Sequence, residues 1–423
     1  MDASLQKRLT DKRWIILVAS CLINLCIGSL YAWSVFATPL AEKLNSITVI
    51  QGTGITAASL AIVFTVANAV GPVTMISGGY INDKLGPKWV IFAGGLLFGI
   101  GFFSCGFAKG IPTLVLCYGL GCGLGMGMVY GCTVSNSVKF FPDMRGLVGG
   151  ITTATYGLSS VVIPPIANIL ITKVGISTTF KAMGVLFVII ICACGMLIEA
   201  CPEGFQPVSS KVKKVKATTA VSINKREMNW KQMMRVPEFY VMLLILVCGA
   251  FSGLMITSQA APMAQKMAGM SVGMAATAVS VLALFNASGR VIAGFLSDKI
   301  GRINVLRVAF ILEIVGLLLL INVREGNSLV FLVSVSIMGI CFGSLMGVYP
   351  GFTADQFGTK NSSVNYGIMF VGFALAGILG PTIASKIVSA YGSYTIAFYV
   401  AGVFALIGIA MTIVFQKITK IKK

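Results

Sequence analysis

The feature that most constrains this chain is a succession of twelve long apolar runs, at residues 14–38, 53–78, 89–108, 112–138, 146–170, 177–199, 237–262, 274–297, 304–322, 328–352, 364–388 and 393–416. Each approaches or exceeds the roughly 20 residues that an α-helix needs to cross a hydrocarbon core. Lipid offers the backbone no hydrogen-bond partners, so only helices and closed barrels can span it. A barrel would read as alternating segments of about ten residues, and these runs are continuous. With 57% hydrophobic and 11% charged residues over 423 positions, the chain lacks the polar surface of a soluble protein. The expected fold class is an all-α polytopic membrane protein with twelve transmembrane helices.

The net charge of +19 invites a nucleic-acid reading, but its placement argues for topology. Lys7, Arg8, Lys12 and Arg13 precede the first run, Lys417, Lys420, Lys422 and Lys423 follow the last, and the stretch from Glu203 to Arg235 is dense in Lys and Arg. Such a bias assigns these segments, both termini included, to the cytoplasmic side of the membrane. The central stretch also attracts anionic membrane lipid. No nucleic acid is expected as a partner. No nucleotide is expected either, because no G-x-x-x-x-G-K-[ST] loop occurs. The first run is a full span without a small-residue cleavage site, so it reads as a retained helix and not as a signal peptide. The eleven cysteines lie almost entirely inside the runs without CxxC spacing and read as small packing residues. Histidine is absent, which removes the commonest metal ligand and the usual general base together. No metal site, no cofactor and no enzymatic nucleophile–base pair is expected.

The only long polar stretch, 201–236, divides the runs six and six. Internal repetition supports the division: FATPLAEKL (36–44) pairs with QAAPMAQKM (259–267), GYINDKLG (79–86) with GFLSDKIG (294–301), MVYG (128–131) with GVYP (347–350), and TYG (155–157) with NYG (365–367). The expected domains are a first six-helix half over 1–200, a cytoplasmic basic linker over 201–236, and a second half over 237–423. Duplicated halves of this kind are how many secondary transporters are built.

The repeated G-x-x-x-D-K-x-G element is Gly79, Asp83, Lys84 and Gly86 in the first half, and Gly294, Asp298, Lys299 and Gly301, followed by Arg302, in the second. It resembles the loop signature of the major facilitator superfamily. Glycine lets helices approach closely, and the aspartate can pair with basic groups or with a helix N-terminus. These nine residues are the expected conformational latch of a rocking protein. A narrower resemblance rests on GSLYAWSVF (28–36), NASGRVIAGFLSDKIGR (286–302) and TADQFGTKNSSVNYGIMF (353–370) running into GILGP (377–381). Together these are similar to the oxalate/formate antiporter family, which lies close to the monocarboxylate (lactate) transporters.

Between Lys266 and Asp298 the sole charged residue is Arg290. A cation near a helix centre costs about 2.5–3.5 kcal/mol on insertion scales and marks a functional candidate. Asn286, four residues earlier, shares its helix face. A planar guanidinium beside a neutral amide suits a carboxylate with a neighbouring oxygen. In the resembled family the arginine of this helix binds the carboxylate. The competing reading is a structural ion pair with Glu313, which lies at a similar depth, roughly 16 Å from the same membrane face against 12 Å for Arg290.

Tyr31, Trp33, Tyr130, Tyr156, Tyr349 and Tyr366 fall within spans and not in the interfacial belts. The resembled fold lines its cavity with helices 1, 4, 7 and 10, which makes Tyr31, Tyr130 and Tyr349 the expected substrate contacts. In the oxalate-exchanging branch a lysine occupies the position that here is Phe373. One deep cation with an apolar wall favours a small monocarboxylate (lactate, pyruvate or formate class) over oxalate. Glu313 and Lys386 are the candidates for proton coupling. The expected function is a proton-linked monocarboxylate transporter working by alternating access. Its alternatives are an oxalate/formate anion antiporter and a transporter-like sensor that binds without transport.

Overall fold

The structure, a computed structural model, describes residues 3–47, 54–56, 59–208 and 227–421. Half of the basic linker expected over 201–236, namely 209–226, lies outside the described residues. The described residues contain no strand; they form α1 (Ala3–Ile27), a 3-10 turn (Gly28–Ala32), α2 (Trp33–Ile47), α3 (Ala61–Leu85), α4 (Pro87–Cys105), α5 (Ile111–Leu114), a π segment (Val115–Cys122), α6 (Gly123–Phe140) and α7 (Arg145–Leu197). After the linker come α8 (Trp230–Met233), α9 (Pro237–Ala268), α10 (Val272–Ile300), α11 (Arg302–Ile321), α12 (Ser328–Phe357), α13 (Ser362–Met369), α14 (Val371–Tyr391) and α15 (Thr395–Ile421).

Among the described residues, eleven helical stretches are long and apolar enough to cross a membrane. The twelfth expected span is inside α7. Its 53 residues would make a rod of about 80 Å, far beyond the ~30 Å hydrocarbon core. Gly175, at φ 76° and ψ 162°, interrupts it, so α7 holds the fifth and sixth runs and the count of twelve stands.

Two compact units divide the chain. The first comprises 1–142, 155–210 and 360–368, and the second 143–154, 211–359 and 369–423. The first unit is centred on an aromatic core in which Phe36, Phe102 and Phe180 meet at ring separations of 4.9–5.7 Å. In the second, Phe251 of α9 stacks on Phe404 of α15 at 4.2 Å. Polar side chains within helices satisfy themselves locally: Thr152 and Ser334 hydroxyls donate to carbonyls four residues earlier, which lets them sit in an apolar helix. Large exposed side chains such as Val73, Leu116 and Ile378 would be a liability in water and form the expected lipid-facing surface.

The duplicated element sits at two sharp turns. Gly86 ends α3 at φ 87° and Gly301 ends α10 at φ 90°, a region that glycine enters without the Cβ penalty.

Candidate functional site

The two signature aspartates cap helices in the same register. In the first unit, Asp83 Oδ2 accepts from the backbone N–H groups of Ser363 and Val364 at 3.1 and 3.0 Å, the second and third residues of α13. In the second unit, Asp298 accepts from Gly146 and Leu147 at 2.9 Å each, the second and third residues of α7. Both carboxylates meet the orphan donors and positive dipole end of a helix start. The signature glycines make room for that approach. A Cβ on Gly79 would lie 2.8 Å from the Ser363 carbonyl carbon, and one on Gly294 would collide with the Gly146 carbonyl.

The flanking charges differ between the copies. Asp83 pairs with Lys139 of α6 at 2.9 Å. Asp298 pairs with Arg302 at 2.7 Å, Arg302 also reaches Asp355 at 2.9 Å, and Asp355 takes Arg145 at 2.7 Å. Two expected latch members stand apart. Lys84 lies over the Tyr80 ring and Lys299 over the Phe295 ring, 4.3 and 4.1 Å from the centroids. Neither makes an ion pair among the described residues. Each points along its own helix because the aspartate beside it is turned towards a neighbouring helix start. Lys139, Arg145 and Asp355 take part instead.

Arg290 is 5% exposed in α10. Its Nε donates to Asn286 Oδ1 at 3.0 Å and its Nη1 to the Thr153 carbonyl at 2.6 Å. No carboxylate of the described residues is within ion-pair distance of it. The pair with Glu313 is therefore not formed: Glu313, 3% exposed in α11, instead accepts a hydrogen bond from the Ser252 hydroxyl. The backbone around Arg290 is clamped by glycine. Gly339, Gly343 and Gly347 of α12, at four-residue spacing, press on Leu282, Asn286 and Arg290 of α10, and Gly150 of α7 presses on the Arg290 carbonyl. The small-xxx-small spacing of 339–347 is a known packing signal that could have been read from sequence; the Thr153 carbonyl could not.

The remaining candidates sort by what their polar atoms already do. Tyr349, 1% exposed, donates its hydroxyl to the Met242 carbonyl at 2.6 Å, so this phenol bonds α12 to α9 and is not offered to a solute. Tyr31, on the 3-10 turn, and Tyr130 of α6 both pack on Tyr156, at 5.1 and 4.8 Å. Tyr156 is thus the centre of a three-phenol cluster. Phe373 stacks between Phe370 at 4.6 Å and Phe342 at 6.3 Å, an apolar surface of aromatic faces. Lys386 is exposed on α14.

The Major Facilitator Superfamily model matches residues 14–321 and again 268–423. This chain is a member of the Major Facilitator Superfamily. Among its relatives, an uncharacterized MFS-type transporter, YhjX, of Escherichia coli (strain K12) is 30% identical, with 86% of each chain covered. The oxalate:formate antiporter of Oxalobacter formigenes is 28% identical, covering 95% of this chain and 91% of its own. Monocarboxylate transporter 12 of Homo sapiens is 24% identical, covering 81% and 70%. The solved structure of the MFS proton:xylose symporter XylE has a TM-score of 0.72 with 95% of both chains covered, at 14% identity. That likeness concerns the fold alone. This MFS chain is a multi-pass membrane transporter.

Proposed function

We propose that this MFS protein carries a small monocarboxylate of the lactate, pyruvate or formate class across the plasma membrane by alternating access, with proton linkage. The observation that carries this reading is Arg290, a buried guanidinium held by Asn286 and a backbone carbonyl with no acidic partner among the described residues. A buried cation that is not neutralised within the protein costs energy that an incoming anion recovers. Asn286 orients the guanidinium through its amide oxygen, and its amide nitrogen is the group to offer a neighbouring substrate oxygen. Phe373, stacked among rings, gives a second carboxylate no cation. Tyr31 and Tyr130, packed on Tyr156, are the proposed aromatic contacts of the first unit. Both termini belong on the cytoplasmic side, and the protein performs no catalysis. Glu313, buried and, among the described residues, bonded through its carboxylate to the Ser252 hydroxyl, is the proposed proton site.

Uptake of labelled L-lactate into proteoliposomes, with and without an inward proton gradient, tests the reading. Gradient-driven accumulation that disappears in Arg290→Ala supports it. The named relative in Oxalobacter formigenes favours a second reading, anion exchange. No lactate uptake, with rapid exchange in vesicles preloaded with oxalate or formate, would establish that reading instead. Binding without flux of any anion would make the protein a sensor.

A further inference from the structure

Arg290 does more than wait for an anion. Three contacts hold residues 145–154, the start of α7, in the second unit. Asp298 accepts from Gly146 and Leu147, Arg145 pairs with Asp355, and Arg290 Nη1 donates to the Thr153 carbonyl at 2.6 Å. From Thr155 onward the same helix belongs to the first unit. Thr153, which Arg290 holds, lies two residues before the first unit's stretch begins at Thr155.

We propose that the Thr153 carbonyl is a built-in competitor of the substrate carboxylate for Arg290, so that binding the anion releases the start of α7. This rests on the reading of Arg290 as the carboxylate ligand. A carboxylate engages guanidinium through two parallel donors. Asn286 is on the same helix as Arg290 and occupies Nε, which leaves the Nη1–Nη2 end of the fork as the approach that keeps the side chain oriented. Thr153 holds one of the two N–H groups of Nη1, and a carboxylate docking at that end brings its negative oxygens against the carbonyl oxygen already there. A helix carbonyl has a second lone pair with which to accept such a bond, but it is neutral. Both bonds are charge-assisted because the guanidinium is ionised, but the carboxylate adds a full opposite charge and accepts two parallel bonds where the carbonyl accepts one, so the anion takes the donor. The start of α7 then keeps its bonds to Asp298 and Asp355.

Mutual exclusion of this kind is a coupling free energy, and it is reciprocal. The anion loosens the segment, and a loosened segment binds the anion more tightly. Gly150 supplies a perturbation that changes neither the guanidinium nor the Thr153 carbonyl itself. A Cβ there would collide with the Arg290 carbonyl, so Gly150→Ala has to push α7 away from α10 and break the tie.

The test is hydrogen–deuterium exchange of the full-length protein in nanodiscs, with L-lactate, formate and oxalate as probes and a thermal-shift measurement of binding alongside. The expected result is that the probe that stabilises the wild type also speeds exchange in 146–154 by about fivefold or more, the lower end of usual coupling factors. Arg290→Gln should give fast exchange there without any probe and no further response. Gly150→Ala should bind the probe at least as tightly as wild type. Probe binding with unchanged or slower exchange in 146–154 overturns the competition and leaves the carboxylate reading intact. Failure of all three anions to bind overturns both. Weaker binding in Gly150→Ala that still folds, judged by a cooperative melt, also counts against the competition.

Discussion

Asp298→Asn tests the clasp on α7 most directly, because asparagine keeps the shape and removes the charge. Asp298 accepts from two adjacent backbone N–H groups, each at 2.9 Å, and from Arg302 at 2.7 Å. Its side chain is 17% exposed and that of Arg302 is 11% exposed, while the bond to the Leu147 N–H is exposed, so water screens the site in part. An asparagine oxygen can serve one of these N–H groups well while its amide nitrogen faces the other, donor against donor. The loss is then one hydrogen bond to a charged group, about 1.5–3 kcal/mol, and the favourable end of the helix dipole, about 0.3–1 kcal/mol. Arg302 stays paired through Asp355, so its own burial adds little. The sum is about 2–4 kcal/mol, or roughly 30- to 700-fold in the balance between the held and released segment, at tenfold per 1.4 kcal/mol. The variant should bind its anion no more weakly than wild type yet turn over more slowly, because the held state has become scarce. Counterflow rates in proteoliposomes and equilibrium binding in detergent measure the two separately. Wild-type turnover in Asp298→Asn, with wild-type exchange at 146–154, would refute the idea that this carboxylate holds the helix start.

Three further outcomes are expected. Lys139→Met removes the cation beside Asp83, whose side chain is 4% exposed, and should lower stability by on the order of 3 kcal/mol; Lys84→Met, losing only a contact to its own helix's Tyr80, should cost about 1 kcal/mol or less, and equal denaturation midpoints would contradict this. Phe373→Lys exchanges two ring contacts, each worth about 0.5–1.5 kcal/mol, for a second cation, and should shift binding from lactate towards oxalate in a competition assay; an unchanged preference would remove Phe373 from the selectivity argument. Glu313→Gln keeps an oxygen for the Ser252 hydroxyl and should retain counterflow while losing accumulation driven by a proton gradient; a gradient response equal to wild type would exclude Glu313 as the proton site.

What the sequence made legible is what side chains alone determine. The spans could be counted because lipid demands some twenty apolar residues per crossing, whatever the helices pack against. The break between the fifth and sixth runs was visible only as a gap in hydropathy, and a single glycine, Gly175, makes it. The signature aspartates could be read because they occur twice. Their partners could not, since four of them are backbone N–H groups at helix starts, and a sequence names residues without saying which helix start will arrive beside them. The same limit governed the candidate site. A buried phenol at Tyr349 had to find an acceptor, but that acceptor is the Met242 carbonyl, a group every residue possesses. Arg290 was conspicuous because charge is rare in a span. What it touches was hidden, because Thr153 offers its backbone oxygen and not its hydroxyl, which bonds within its own helix to Gly150. The glycines at 339, 343 and 347 join the two kinds of information. Their spacing is plain in the sequence, and only the structure adds that α10 presents Asn286 and Arg290 to them. Close packing there fixes the α10 backbone, and Arg290 with it, against α12.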